Sequence, residues 1–484
     1  MKSLFKKIVT VILSWEARAV IRKYKPTIIA ITGSVGKTSA KDATYHMLAS
    51  AGVFVRKSEK SFNSEIGMPL TILGLQNAWN NPVAWLRNIF HGLGLVFPIL
   101  SGNTRGDYPK VLVLEVGADH PGDIQNLTSW LMPDIAVITA VSKVPVHVEF
   151  FDSPEAVLAE KLSLARGIRS NGKLVLPADN PAILAVRTEP DLSKAPCLTF
   201  GIDCAGDVIA TMPEIMYEEG TAPGQAHKPI GMSFKLNYQG NSVPITMKGV
   251  VGIQHIHSIV AAAATALSYG ISFNSIIVAI PHYQAPRGRM NVIDGVAGSV
   301  LIDDSYNASP DAVREALKVL GGIQDKQRSD VGIGSETSSV VIRKIAVLGD
   351  MMELGTFSPK EHRIAGERAA QALQQTPQII AADGSVGNML VTVGIRARDI
   401  AEGAVAAGLS REMIHSFDTS IEAGEWLRGV LYKQGLVSGG PLVVVLIKGS
   451  QSPRMERVTY ALLSDQSRGG ELLVRQEPEW LARA

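Results

Sequence analysis

Residues 27–39 read TIIAITGSVGKTS. After Lys25-Pro26, the run TIIAITG has the length and apolar character of a buried strand ending in glycine, and KTSAKDATYHMLASAG continues as a helix. Gly33 and Gly36 let the backbone between them wrap closely around phosphate oxygens, with successive N–H groups and the helix N-terminus facing the negative charge. Gly33, Ser34, Val35, Gly36, Lys37, Thr38 and Ser39 are thus the expected nucleotide-phosphate cradle. Lys37 would reach the β- and γ-phosphates, and the Thr38 hydroxyl would ligate Mg²⁺. The longer P-loop pattern would put a glycine where Ile31 stands. Specificity therefore comes from the position of Gly-x-x-Gly-Lys-Thr between a strand and a helix.

Two further apolar runs, VLVLEVGAD at 111–119 and DIAVITAV at 134–141, read as buried strands. Strands alternating with helical stretches indicate a parallel sheet covered on both faces. Glu115 ends its strand, where a metal-binding acid would face the nucleotide; alone, it reads equally as a surface glutamate. From about Pro190 to Val250 the pattern changes to strands rich in turn residues, such as GMSFKLNYQGNSVPITMKG, which predicts an antiparallel appendage. GIQHIHSIVAAAATALSYG returns to helix, with alanines suited to close packing. A further unit starts near Val292 with GSVLIDDSYNASP, followed by strands at 344–351 and 443–450, and predicts a second open α/β sheet. The polar stretch 324–339 is expected to be a mobile surface loop. The expected fold is α/β, in three parts: an N-terminal amphipathic helix (1–25), a central P-loop ATPase domain with a parallel sheet (26–290), and a C-terminal Rossmann-like α/β domain (291–484).

The chain has 484 residues, too many for one compact core. Lys plus Arg number 47 against 45 Asp plus Glu, so the balance gives no general case for a nucleic-acid partner. The two cysteines, Cys197 and Cys204, exclude a disulfide scaffold and a zinc-site spacing, and fit a reducing cytoplasm. Lys7, Thr10, Ser14, Arg18 and Arg22 form one polar stripe on the first helix, flanked by apolar residues. Such a helix either lies in a membrane interface at the inner face or packs on the domain that follows. The apolar segment 82–100 likewise reads as a buried insertion or a membrane-facing element, and its Gly and Pro argue against a spanning helix.

Seven blocks in order, TGSVGKTS, SFNSEIGMPLTILGL, LEVGADHPGDI, HVEFFDSPEAVLAEK, DDSYNASPDAV, VLGDMMELG and IKGSQSPRME, make the chain resemble the Mur ligases from about Ile28 to Val458. The later blocks are similar to those of the members that add D-alanyl-D-alanine. The resemblance implies an ATP-dependent amide-bond ligase of cell-wall synthesis, acting on small-molecule substrates through an acyl phosphate. It implies ATP and Mg²⁺ at two sites, one held by Thr38 and Glu115, the other involving His147 near the acyl phosphate. Lys161 stands where the family carries a carbamylated lysine, which would turn a cation into a metal ligand. By the same resemblance Arg289 approaches the phosphates, Asp304 contacts the ribose, and Asn307 with MMELG faces the dipeptide. Without the family, DDSYNASP reads only as a strand end and helix N-cap.

Three features depart from the family pattern. Only about 25 residues precede the first strand, where the family places a UDP-sugar domain, so the first helix and 82–100 are expected to take over that recognition or to bind something different. Gly252-Ile253-Gln254-His255 stands for the family's Gly-x-His-Asn, and Ala178-Asp179-Asn180 keeps part of a nucleotide-contacting segment. The alternatives are a Mur-type ligase for another carboxylate and amine, such as a lipid-linked precursor, and a non-catalytic nucleotide-binding protein.

Overall fold

The computed structural model describes residues 2–59, 66–78, 81–97, 107–141, 148–218, 227–324, 342–374, 387–433 and 442–482. His147, residues 98–100 and all of 324–339 except Gln324 lie outside the described residues.

The first sheet is assembled by helix α1 (Lys2–Tyr24), β1 (Thr27–Thr32), α2 (Lys37–Ser50), β2 (Val55–Lys57), α3 (Gly67–Leu73), α4 (Pro82–Val96), β3 (Val111–Glu115), α5 (Asp123–Leu131), β4 (Ile135–Ile138), α6 (Pro154–Arg166), β5 (Lys173–Pro177) and α7 (Pro181–Leu184). It continues through β6 (Cys197–Ile202), β7 (Val208–Glu218), β8 (Lys228–Tyr238) and β9 (Asn241–Lys248), and is closed over by α8 (Ile253–Tyr269) and α9 (Phe273–Ala279). Its order is β2-β3-β1-β4-β5-β6-β7-β8-β9. The segment read as an antiparallel appendage is therefore not separate. β6 pairs parallel with β5 and β7 parallel with β6, and in this part of the sheet only β7–β8 and β8–β9 run antiparallel, so β6 to β9 extend the nucleotide sheet itself. Alternation shows that a strand has a buried face; it does not say which edge the strand joins.

β1 is buried along almost its whole length, as a central parallel strand with helices on both faces must be. The alanines of α8 are buried against α2, where their small side chains let the two helices approach. The second sheet takes β10 (Asn291–Asp294), β11 (Val300–Asp304), α10 (Pro310–Gly322), β12 (Ile342–Gly349), α11 (Ser358–Gln374), β13 (Met389–Val393), α12 (Arg398–Ala406), β14 (Ile414–Phe417), α13 (Ser420–Lys433), β15 (Leu442–Lys448) and α14 (Glu456–Leu462). Its order is β10-β11-β15-β12-β13-β14, parallel except for β10 at one edge. This is the open doubly wound sheet expected from the strand–helix alternation.

α1 packs on the first sheet's helices α3 and α4, burying Val9, Leu13, Ala17, Val20 and Tyr24. Full burial of each aliphatic side chain contributes about 1.5–3 kcal/mol. That outweighs the roughly 0–1 kcal/mol of a surface ion pair, so the apolar back of α1 is its anchor. Lys23 Nζ adds a hydrogen bond to the carbonyl oxygen of Leu95, and the Tyr24 hydroxyl bonds the same oxygen. Glu16 is buried in this contact with both carboxylate oxygens lacking a partner, and burial pushes its carboxyl up to about 7. α4 buries Trp85, Asn88 and Leu95 while Val83, Leu86 and Phe90 stay exposed. It is thus half sunk, not a wholly buried insertion. Among the described residues, no helix is long and apolar enough to cross a membrane.

Candidate active site

The parallel register of β1 on β3 sets Ile31 against Glu115, so the carboxylate at the end of β3 emerges beside the glycine loop that follows β1. Gly33 has φ +149°, and a Cβ there would lie 2.0 Å from Thr139 Oγ1, so no other residue fits. The same Thr139 hydroxyl reaches the carbonyls of Thr32 and Val35 at 3.1 and 2.7 Å, and the N–H of Ser34 donates to the Ala140 carbonyl at 2.7 Å. The loop is thereby braced by the end of β4. Gly36, at φ +86°, caps α2 and leaves its N-terminal N–H groups without a side-chain cap, as an anion cradle requires.

Lys37 folds back over this loop, its Nζ 2.8 Å from the Gly33 carbonyl oxygen. Burial lowers its pKa, Glu115 and Asp119 oppose that shift, and Arg289 adds to it. Thr38 Oγ1 donates to Glu115 Oε1 at 3.2 Å, while Glu115 Oε2 is buried without a hydrogen-bond partner. The fully buried Lys41 is 3.8 Å from that oxygen and spends its hydrogen bond on the Ser58 carbonyl. Ser34 Oγ is also buried and unpartnered. A hydroxyl and a carboxylate oxygen side by side beside a phosphate cradle fit a divalent cation of the Mg²⁺ type. Among the described residues no three His, Cys, Asp or Glu side chains gather into a metal-binding group.

Lys161 lies on α6, 4% exposed. The adjacent Glu160 accepts from the N–H groups of Gly122 and Ile124, at 2.9 and 2.6 Å, clamping α6 to the start of α5. Burial first, and then the charge of Lys37, bring the Lys161 ammonium down to about 7, against the opposing pull of Glu160, Asp119 and Asp123. The influence of Lys37 on Lys161 links two residues that are 124 positions apart.

The second sheet supplies the facing wall. Asp304 and Lys448 are register partners at the ends of β11 and β15, and form a buried ion pair; Lys448 Nζ also bonds the Asn307 carbonyl at 3.1 Å. Burial lowers the Lys448 pKa, opposed by Asp304. The Asn307 side chain turns onto its own chain, its Oδ1 accepting from the Ala308 N–H at 2.9 Å. Gly355 of the MMELG turn approaches the segment after His147: a Cβ on it would stand 3.1 Å from Glu149 Cβ. Arg289 lies 4.1 Å over the Tyr306 ring, with its Nε buried and unpartnered. Between the sheets is a cavity of about 400 Å³, bordered by Gly36, Ser39 and Arg289 on the first sheet's side and by Asp304 and Lys448 on the other. Asp179 and His257, 3.4 Å apart, sit at its rim with Gln254 and His255. Its size suits a nucleotide-scale ligand.

The sequence-level candidates Gly33 to Ser39, Glu115, Lys161, Arg289 and Asp304 thus surround one region, whereas His147 lies outside the described residues. Lys448 was missed as a site residue. Its signal is the one that marked Glu115, a charge ending an apolar strand, VVVLIK. Thr139 carried no local signal.

Residues 97–266 match the Mur ligase middle domain. The chain is 28% identical, over 92% of its own length and 74% of the other's, to UDP-N-acetylmuramoyl-tripeptide--D-alanyl-D-alanine ligase of Mycobacterium bovis. Its fold superposes on MurF of Acinetobacter baumannii with a TM-score of 0.66 at 23% identity, covering 93% of this chain and 79% of that one. The MurF ligase of Thermotoga maritima in complex with ADP gives a TM-score of 0.65 at 22% identity, covering 94% and 83%. With a P-loop, a facing α/β sheet and these relatives, the chain carries a Mur ligase middle domain and is similar along most of its length to the ATP-dependent Mur ligases that form carbon–nitrogen bonds.

Proposed function

We propose that this ligase joins D-alanyl-D-alanine to a UDP-N-acetylmuramoyl tripeptide through an acyl phosphate. The observation that supports the reading is that Lys37, within electrostatic reach of Glu115 and Lys161, follows the Gly36 edge of a cleft that Arg289, Asp304 and Lys448 also line. The substrate carboxylate attacks the γ-phosphorus of ATP, releasing ADP. The dipeptide amine then attacks the acyl carbon, and phosphate leaves as the amide forms. Both steps bring anions together, so alignment and charge neutralisation carry the catalysis. Lys37 moves from the Gly33 carbonyl to the β- and γ-phosphates, and Arg289 adds a second cation. Thr38 and Glu115 would hold one Mg²⁺, with His147 and a carbamylated Lys161 at a second. Bound there, Mg²⁺ supplies further neutralisation of the phosphoryl oxygens. Asp304 would meet the ribose, and Asn307 with the MMELG turn would face the dipeptide.

Mixing the chain with ATP, UDP-N-acetylmuramoyl tripeptide and D-alanyl-D-alanine is expected to release ADP and to give one product, heavier than the tripeptide precursor by the dipeptide less water, by mass spectrometry. ADP release with a different carboxylate and amine, and none with this pair, would overturn the assignment.

Peripheral contact with the inner face of a membrane completes the proposal for a cytoplasmic enzyme. Ile8, Val11 and Trp15 on α1, and Val83, Leu86 and Phe90 on α4, are exposed at i, i+3, i+7 spacing on helices that touch. Co-sedimentation with anionic liposomes is expected for the full chain and should drop on Val11→Ser with Phe90→Ser; equal pelleting of both proteins removes this contact.

A further inference from the structure

A second cavity, of about 700 Å³, opens between α1 and α5. One wall is the polar stripe of α1, with Thr10, Ser14, Arg18 and Arg22, and Trp15 beside it; the other carries Asp119, Asp123 and Trp130. At 1.5 Å per residue the stripe from Thr10 to Arg22 runs about 18 Å. The opposite face of α1 does the anchoring, so the stripe is not needed to hold the helix. The Arg18 guanidinium carbon rests 5.1 Å from the centroid of the Trp130 ring, so the two lining residues meet across the cavity. Arg18 and Arg22 are both exposed, and among the described residues neither has a carboxylate at ion-pair distance. Asp123 is already engaged, its Oδ2 accepting from the N–H groups of Asp119 and His120 at 3.0 and 2.8 Å. Asp119 acts electrostatically on both Lys37 and Lys161, so the cavity runs up to the reacting end of the site.

We propose that this cavity binds the diphosphate-linked sugar of the acyl substrate, with Arg18 and Arg22 on the phosphates and Trp15 and Trp130 against the sugar or its carrier. The inference rests on the reading of the acyl substrate given above. Two guanidinium groups four residues apart on a helix sit one turn from each other, with Cβ atoms about 6 Å apart, a separation suited to two linked phosphates. Planar guanidinium forks take phosphate oxygens two at a time, and indole rings offer flat apolar faces to a sugar or base. A soluble nucleotide and a polyprenyl lipid present the same diphosphate, so the shared chemistry is what the cavity recognises.

The test measures binding by the full chain and by its Arg18→Gln, Arg22→Gln double variant. The probes are UDP-N-acetylmuramoyl tripeptide by calorimetry and a polyprenyl-diphosphate muramoyl tripeptide in phosphatidylcholine vesicles by flotation. The Kd for at least one carrier is expected to rise about tenfold or more in the variant. ATP affinity, Tm and the weak binding of muramoyl tripeptide without diphosphate should stay as they are. The carrier whose binding falls identifies the source. Arg22→Gln alone keeps the Arg18–Trp130 contact and should weaken binding too, which leaves the test decisive if the double variant is unstable. An unchanged Kd for both carriers overturns the proposal. Because binding is read without turnover, the two readings fail separately. No amide product with D-alanyl-D-alanine, alongside arginine-dependent binding, sinks the donor assignment alone; product formation with arginine-independent binding sinks the cavity alone.

Discussion

Lys161→Ala is expected to cut kcat by on the order of 10²–10³-fold, the loss typical of removing one group that stabilises developing charge, and short carboxylates such as acetate or formate are expected to restore part of it. A buried lysine near Lys37 makes little sense as a permanent cation, because burial strips Lys161 of water and the charge of Lys37 repels it. Held down to about 7, the Lys161 amine is about half neutral at neutral pH, whereas an ordinary lysine would be neutral to less than about 0.1%. Only the neutral amine attacks CO₂, forming a carbamate and releasing a proton. Activity should therefore depend on bicarbonate, and more steeply as pH falls below about 7, where protonation removes the nucleophile. Equal rates in CO₂-depleted and bicarbonate-supplemented buffer, together with no carboxylate rescue of the alanine variant, would rule out the carbamate.

Lys37→Ala is expected to lower turnover by about 10³-fold and to weaken ATP far less than it slows chemistry. The backbone cradle of Gly33 to Gly36 is braced by Thr139 and Ala140, not by the lysine, so the loop should persist in the variant. What disappears is the cation now on the Gly33 carbonyl, which the proposed mechanism moves to the transferring phosphoryl group. Single-turnover ADP formation alongside nucleotide titration separates the two effects. A variant that binds ATP poorly and yet turns over normally at saturation would assign Lys37 to binding alone.

The parts of the site that could be read in the sequence are those fixed within one strand–loop–helix unit. Gly33 and Gly36 announce backbone conformations that other residues cannot adopt, and Lys37 and Thr38 follow at fixed offsets. Glu115 was legible because a charge ending a wholly apolar strand must emerge at the sheet's end. Lys448 gave the same signal, but its pairing with Asp304 depends on β11 and β15 being neighbours across 144 residues, which periodicity does not encode. The strands at 197–248 were legible as strands, while their place in the nucleotide sheet was not, because edge pairing is decided by tertiary contacts. On α1 the polar stripe was legible, but which apolar flank would be buried depended on where α3 and α4 pack. The Asp179–His257 pair lies on two elements 78 residues apart, with nothing local to join them.

The stretch around Arg289 changes its bonding within a few residues. The Met290 and Arg289 carbonyls take hydrogen bonds from the Val251 N–H and His255 Nε2, and the Val292 N–H donates to the Gly249 carbonyl. From Asn291 onward β10 belongs to the other sheet. The arginine thus travels with the first sheet, although its ring partner Tyr306 belongs to the second. For anyone building chimeras, a splice placed between Met290 and Asn291 would exchange the whole second sheet, with Asp304 and Lys448, and leave Arg289 where it is. A splice a dozen residues earlier would import the donor's residue at position 289 along with that sheet, so the two junctions separate the arginine from the wall it faces.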